Sequence, residues 1–178
     1  TKTYDGTTNF ATSALATAGA VNGEIITSTA GNGTSASANA ATYAGSTLTG
    51  LVMSVSGGNA LASNYALPGT GDLTITPANL SITGTKTYDG TAQFNAGALS
   101  VTGLIGSDAI GTATALSQNV IDNGSNYFTN FTLSTGIAAN YQLASAGVNN
   151  DAQITPANLS ITGTKTYDGT TNFATSTL

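Results

Sequence analysis

Arginine, histidine, cysteine and tryptophan do not occur anywhere in the 178 residues. Without histidine there is no Ser-His-Asp or Cys-His machinery for nucleophilic catalysis. Without cysteine or histidine there is no structural zinc site, haem thioether or disulfide, so stability rests on packing and hydrogen bonds alone. Three lysines and no arginine leave no basic surface for nucleic acid. Charge of either sign is scarce: charged residues make up 6% and the net charge is −5, where an ordinary soluble domain carries about a quarter.

Long hydrophobic runs are missing too. The 47 residues between Glu24 and Asp72 carry no charge but are studded with Gly, Ser, Thr and Asn. They never approach the roughly 18 consecutive apolar residues of a membrane span. The sequence opens at Thr1 without a basic or apolar leader pattern, and it reads as a stretch of something longer. Hydrophobic residues still reach 40%, too many for a charge-rich disordered tail.

What the sequence does have is threonine, alanine and glycine, arranged in repeats. Ile75–Thr91 recurs unchanged at Ile154–Thr170, and Thr1–Leu15 recurs at Thr164–Leu178 with one change, Ala14 to Thr177. The motif Lys-Thr-Tyr-Asp-Gly therefore stands at Lys2, Tyr4, Asp5, Gly6, at Lys86, Tyr88, Asp89, Gly90, and at Lys165, Tyr167, Asp168, Gly169. All three lysines lie in it. Between copies, Asn22–Ala30 aligns with Gly106–Ala115, and Ser63–Leu67 with Ala139–Leu143. The spacings are 84 and 79 residues, and the extra length of the first copy is expected in a loop over Ala30–Ala41, where insertion is cheap.

A period near 80 exceeds the roughly 20–50 residues of a solenoid rung and suits a small module with its own core. Pro77 and Pro156 lack an N–H and are expected to mark module boundaries. The expected units are 1–76, a module lacking its first strand; 78–155, a complete module; and 157–178, the start of a third. Short alternating runs of Thr, Val, Ile, Leu and Tyr predict strands at Leu80–Tyr88, Thr47–Val55, Ile110–Leu116, Tyr127–Leu133, Leu73–Ile75 and Ala152–Ile154. Phe10–Ala20 is alanine-rich, but Gly19 and scattered Thr and Ser weaken a helix there. The expected fold class is all-β: tandem β-sandwich-like modules, Ig-like or β-grasp-like, of six to eight strands each.

Lys86–Thr91 at a module start, Gly106–Asp108 in the middle, Asn140–Leu143 near the end and the closing Ile154–Thr162, with their first-copy counterparts, together resemble the YDG-type repeats of long bacterial surface exoproteins, including filamentous-haemagglutinin-like adhesins. The resemblance covers nearly the whole chain. It implies an extracellular or cell-surface segment, a stalk or adhesin part, and it brings no catalytic residues with it.

Little in the sequence competes with that reading. In each Lys-Thr-Tyr-Asp-Gly motif the lysine stem can cover the tyrosine two residues on, before an Asp-Gly turn. The same cluster has the residue types of an intramolecular isopeptide, with nothing to position them. The remaining acids are solitary, which disfavours glycosidase carboxylates. Asp122–Asn126 lacks the alternation and distal glutamate of a calcium loop. Gly31–Gly33 and Gly69–Gly71 lack the third glycine of a dinucleotide loop. No metal or cofactor is expected. The aromatics recur at equivalent places (Tyr4, Tyr88 and Tyr167; Tyr65 and Tyr141; Phe10, Phe94 and Phe173), as packing residues would. The expected partners are neighbouring modules or copies of the chain in a filament, including β-strand addition through 157–178. A rival class is a module that binds glycans or a host protein; an enzyme is not expected.

Overall fold

The computed structural model describes residues 1–57, 61–121 and 124–174. Among the described residues, twelve strands and four single-turn 3-10 helices account for the regular structure, so the fold is all-β. Strands β1 (Lys2–Thr3), β2 (Asn9–Ala11), β3 (Ile25–Thr34), β4 (Ala41–Ser56) and β5 (Thr70–Thr76) form one sheet in the order β1-β5-β4-β3-β2. The second copy builds two sheets. One is antiparallel, in the order β10-β9-β7, from β7 (Gln93–Asn95), β9 (Ala109–Ala115) and β10 (Phe128–Thr135). The other centres on β6 (Ala78–Thr87), which has β11 (Tyr141–Leu143), β12 (Asn150–Thr155) and β8 (Leu99–Thr102) as partners.

The β6 strand organises the second copy. Its first residues, Ala78–Leu80, pair in parallel with Tyr141–Leu143. Ile82–Thr87 pair in parallel with Asn150–Thr155 on β12, and Ser81–Gly84 pair antiparallel with Leu99–Thr102. Period-2 alternation sends Leu80 and Ile82 inward, both fully buried, while Ser81 and Thr83 face the other way. Gly84 lies on the inward face for a steric reason. A Cβ there would stand 2.9 Å from the Ala98 carbonyl oxygen and 3.1 Å from the Phe128 ring.

Both sheets of the second copy feed one core. Leu80, Ile82, Phe94, Ala113, Phe128, Tyr141 and Ile154 belong to a single buried cluster, with the Phe94 and Phe128 rings edge to face at 5.0 Å. The first copy holds a far smaller one: Phe10, Leu73 and Ile75, flanked by half-buried Tyr4, Leu15, Tyr43 and Leu48. Its counterpart of β6 is only β1, which pairs in parallel at Lys2↔Ile75 and Thr3↔Thr76, the register that Lys86↔Ile154 and Thr87↔Thr155 repeat in the second copy.

One sequence-based expectation needs correcting. The extra length of the first copy is not a loop over Ala30–Ala41, because Ala30–Thr34 lie in β3 and Ala41 opens β4. These hairpin strands have 10 and 16 residues, against 7 and 8 in β9 and β10. The Thr- and Val-rich sequence through Val55 supports extended pairing beyond the second copy's length. Phe10–Ala20 forms no α-helix: it contains the end of β2, a single 3-10 turn at Thr12–Ala14 and irregular chain beyond. Pro77 lies between β5 and β6, and Pro156 follows the last residue of β12. After Pro156 the described chain has no strand.

Candidate functional site

The Lys-Thr-Tyr-Asp-Gly motif folds into the same object three times. In the second copy Lys86 Nζ donates to Asp89 Oδ1 at 2.7 Å, to Thr91 Oγ1 at 2.9 Å and to the carbonyl oxygens of Thr91 and Gln93, each at 2.8 Å. Asp89 Oδ1 also accepts the Thr91 backbone N–H and hydroxyl, which closes the turn. Gly90 has φ +81°, and its counterparts Gly6 and Gly169 have +77° and +78°, a left-handed conformation that favours glycine. The ammonium finally sits over an aromatic ring: Phe10, Phe94 and Phe173 lie 5.1, 5.0 and 5.6 Å from their lysines.

The lysine therefore serves the phenylalanine eight residues on, not the tyrosine two residues on. The Asp-Gly turn folds the chain back and brings the carbonyl before Phe94, and the ring itself, to the ammonium. Lys2, Lys86 and Lys165 repeat the arrangement bond for bond. The participants that sequence reasoning left out are Thr7, Thr91 and Thr170. Their recurrence directly after each Gly was the available signal.

The electrostatics follow from this geometry. Hydrogen bonds from Lys86 and Thr91 hold the Asp89 carboxyl down at about 2. Lys165 and Thr170 lower Asp168 in the same way. Burial pushes Asp5 up, but the bonds from Lys2 and Thr7 outweigh it and leave it below the ordinary carboxylate value. Each lysine side chain is 10–16% exposed and each aspartate 52–55%. Isopeptide formation needs a shielded carboxyl; these half-exposed aspartates make ion pairs instead. Chemically the cluster is a brace that ties a strand end to the next strand.

A second recurring contact joins the other two motif segments. Tyr141 Oη donates to Asp108 Oδ2 at 2.6 Å and accepts the Ile105 N–H at 3.0 Å. Burial, then the bond to Asp108, raises the Tyr141 phenol to about 12. In the first copy Tyr65 donates to Glu24 and accepts the Val21 N–H; the bond to Glu24 raises its phenol. The acidic residue in the middle of each module and the tyrosine near its end are two halves of one hydrogen bond.

The same residues join the modules. Tyr4, from the first motif, stacks edge-on against Tyr141 of the second copy, centroids 5.3 Å apart. A Cβ on Gly6 would lie 3.2 Å from Ile105. Beside them, Asn140, buried, accepts the Ala40 N–H at 2.8 Å and donates to Asn39 Oδ1 at 3.1 Å. The corresponding tyrosine of the second motif, Tyr88, is 41% exposed, and Tyr167 of the third is 92% exposed.

The remaining candidates do not converge. Among the described residues no three acids gather as a metal cluster would require. Asp122 and Asn123 of the weak calcium pattern lie outside the described residues, and Asn126 is buried in hydrogen bonds with Ser117. Among the described residues no helix is long and apolar enough to cross a membrane.

Tandem all-β copies, each opened by the same lysine-braced turn and joined through it, define the class of protein: a modular β-repeat chain. The YDG domain matches residues 1–72 and again 72–148. The chain belongs to the YDG domain family. No curated protein and no solved structure matches it.

Proposed function

We propose that the chain is a structural repeat segment of an extracellular bacterial adhesin or matrix filament, a stalk that also takes part in attachment between cells or to surfaces. The observation that carries this reading is the junction. The turn opening the first copy docks by Tyr4 and Gly6 onto Tyr141 and Ile105 of the second. Tyr88 presents the same turn outward from the second copy. A joint whose two halves recur in every copy builds a row, and a row of modules supplies length.

Other features support it. Each module reads as β-sandwich-like, since in the second copy two sheets share one core. With a charge fraction of 6%, self-repulsion is weak and salt has little to screen, which favours side-by-side packing of chains. Most of the recurrent aromatics of the two copies go into packing: Phe10, Phe94 and Tyr141 are buried and Tyr4 and Tyr65 half-buried, while Tyr88 is 41% exposed. A glycan platform needs such rings exposed.

The test combines shape and location. Small-angle scattering of chains with two, three and four copies is expected to show a constant length increment per module, and antibodies to the chain are expected to label intact producing cells. A maximum dimension that does not grow with copy number contradicts the stalk. Selective binding on a glycan array, lost on substituting Tyr88, favours the binding-module reading instead.

A further inference from the structure

With no cysteine and no tryptophan in the sequence, oxidative cross-linking of this chain falls to its seven tyrosines. Among the described residues one pair of phenols is in ring contact. Tyr4 of the first copy meets Tyr141 of the second, with centroids 5.3 Å apart and ring planes at 80°. The pair lies on the joint between the copies. Tyr141 is buried and Tyr4 half-buried.

A phenol that loses an electron becomes a strong acid, so its oxidation is easy only where the proton has somewhere to go. At Tyr141 an acceptor is already in place. Its hydroxyl donates to Asp108 Oδ2 at 2.6 Å and accepts the Ile105 N–H at 3.0 Å. The carboxylate can take the proton as the electron leaves, so no positive charge builds up on a buried ring. Burial, then the bond to Asp108, raises this phenol to about 12, which keeps it protonated at neutral pH and makes the acceptor necessary. Burial also shields a radical on Tyr141 from solvent and from other chains, while Tyr4 stays against it. The first copy supplies a contrast. Tyr65 donates to Glu24 in the same way, but among the described residues no aromatic ring stacks on it.

We propose that Tyr4 and Tyr141 form an oxidative cross-linking site, which one-electron oxidants convert to a dityrosine bond across the joint with Asp108 as proton acceptor. Two oxidant equivalents each take one electron. The Tyr141 hydroxyl proton passes to Asp108 and the Tyr4 hydroxyl proton to water. A turn of the Tyr4 ring, the less buried of the two, brings ring carbons ortho to the hydroxyls together. The two radicals pair there as one carbon–carbon bond. The hydrogens on those two carbons then move to the phenol oxygens, which restores both aromatic rings. In all, the chain loses two electrons and two protons. The product ties the two copies together as a disulfide would, in a chain that has no cysteine to make one. This goes beyond the stalk reading, and it is tested on the purified chain whatever its location.

The experiment is oxidation of the dilute 178-residue chain with hexachloroiridate(IV), an outer-sphere one-electron oxidant. The expected product is a monomer lighter by two hydrogens, with dityrosine fluorescence. Denaturation and trypsin cleavage after the three lysines should leave residues 3–86 joined to 87–165, and fragmentation should place the link at Tyr4 and Tyr141. Tyr4→Phe keeps a ring in the contact and should abolish the link, as should Tyr141→Phe. Tyr65→Phe should change neither yield nor rate. Asp108→Asn should slow the reaction about a hundredfold, the low end of what a positioned proton acceptor contributes. Its residual rate should rise with buffer-base concentration, whereas that of the parent chain should not. A chain that forms no dityrosine, or only links between chains, overturns the proposal. So does a link that survives Tyr4→Phe, a rate unchanged in Asp108→Asn, or a parent rate that itself rises with buffer base.

Discussion

The two copies share their motifs, their turns and most of their strand order; they differ in hairpin length, in forming one sheet or two, and in how much of the β6 position residues 1–178 fill. In the second, β6 runs ten residues through the middle of a four-stranded sheet and delivers Leu80 and Ile82 to a large core. In the first, the same position is held by Lys2 and Thr3 alone, and the core shrinks to Phe10, Leu73 and Ile75. The consequences reach beyond the strand itself. The stretches that become β8 and β11 beside β6 stay irregular at 15–18 and 65–67, although Leu15 matches Leu99 and Tyr65 matches Tyr141. Strand structure there is conferred by the partner, not by local propensity.

The largest effect that can break this comparison is removal of the β6 side chains. Ile82→Ala should cost the second module about 2–5 kcal/mol, the range for deleting a fully buried aliphatic side chain. Ile161→Ala, at the identical but exposed position, should leave monomer stability within about 0.5 kcal/mol. Urea unfolding of the two variants checks both, and equal losses would remove the distinction between the two segments.

Next comes the brace. Lys86→Met keeps an apolar stem of similar length but removes the ammonium from the Phe94 ring, Asp89 and two carbonyls. A loss of about 1–2 kcal/mol is expected for a charge-assisted bond set. The same change at Lys165, whose turn lies in chain without strand pairing, should alter the unfolding midpoint by less than the measurement error.

The joint should be weaker still. Tyr4→Ala removes an edge-to-face pair worth about 0.5–1.5 kcal/mol beyond buried area. It is expected to uncouple the modules, so that one calorimetric transition separates into two. An unchanged single transition would show that coupling runs through Asn39, Ala40 and Asn140 instead.

The smallest effects are those of pH. The Asp89 carboxyl is held at about 2, below its unfolded value. Its contribution is complete above about pH 4 and fades as the pH falls toward 2. Tyr141 is raised to about 12. Its contribution is complete below pH 10 and is lost as the pH rises through 12. Spectroscopic titration of tyrosinate should show Tyr141 ionising last, and Tyr141→Phe should remove that late step.

Much of this was legible in the sequence. Exact repetition exposed the modular plan, and alternation at Leu80, Ile82 and the intervening Ser81 and Thr83 placed the central strand and its inward face. The rest depended on contacts that sequence spacing does not encode. Parallel pairing of Lys2 with Ile75 closes a sheet across more than seventy residues. The Tyr141–Asp108 bond spans 33 positions. The lysine's true ring partner stands eight residues away, because the Asp-Gly turn reverses the chain between them. The extra length of the first copy looked like a loop because Gly, Ser and Asn are turn residues; hairpin pairing overrode them, and the β3–β4 ladder carries register shifts at Ala30 and near Gly31.

The central claim is that a strand in the β6 position decides whether a module is whole. Amide hydrogen exchange over residues 15–18 and 65–67 of the first module, read before and after adding a peptide with the sequence of 157–163, tests it most directly. The account predicts fast exchange without the peptide and protection approaching that of β8 and β11 with it. Protection already equal in the free chain, or exchange unchanged at saturating peptide, would contradict it.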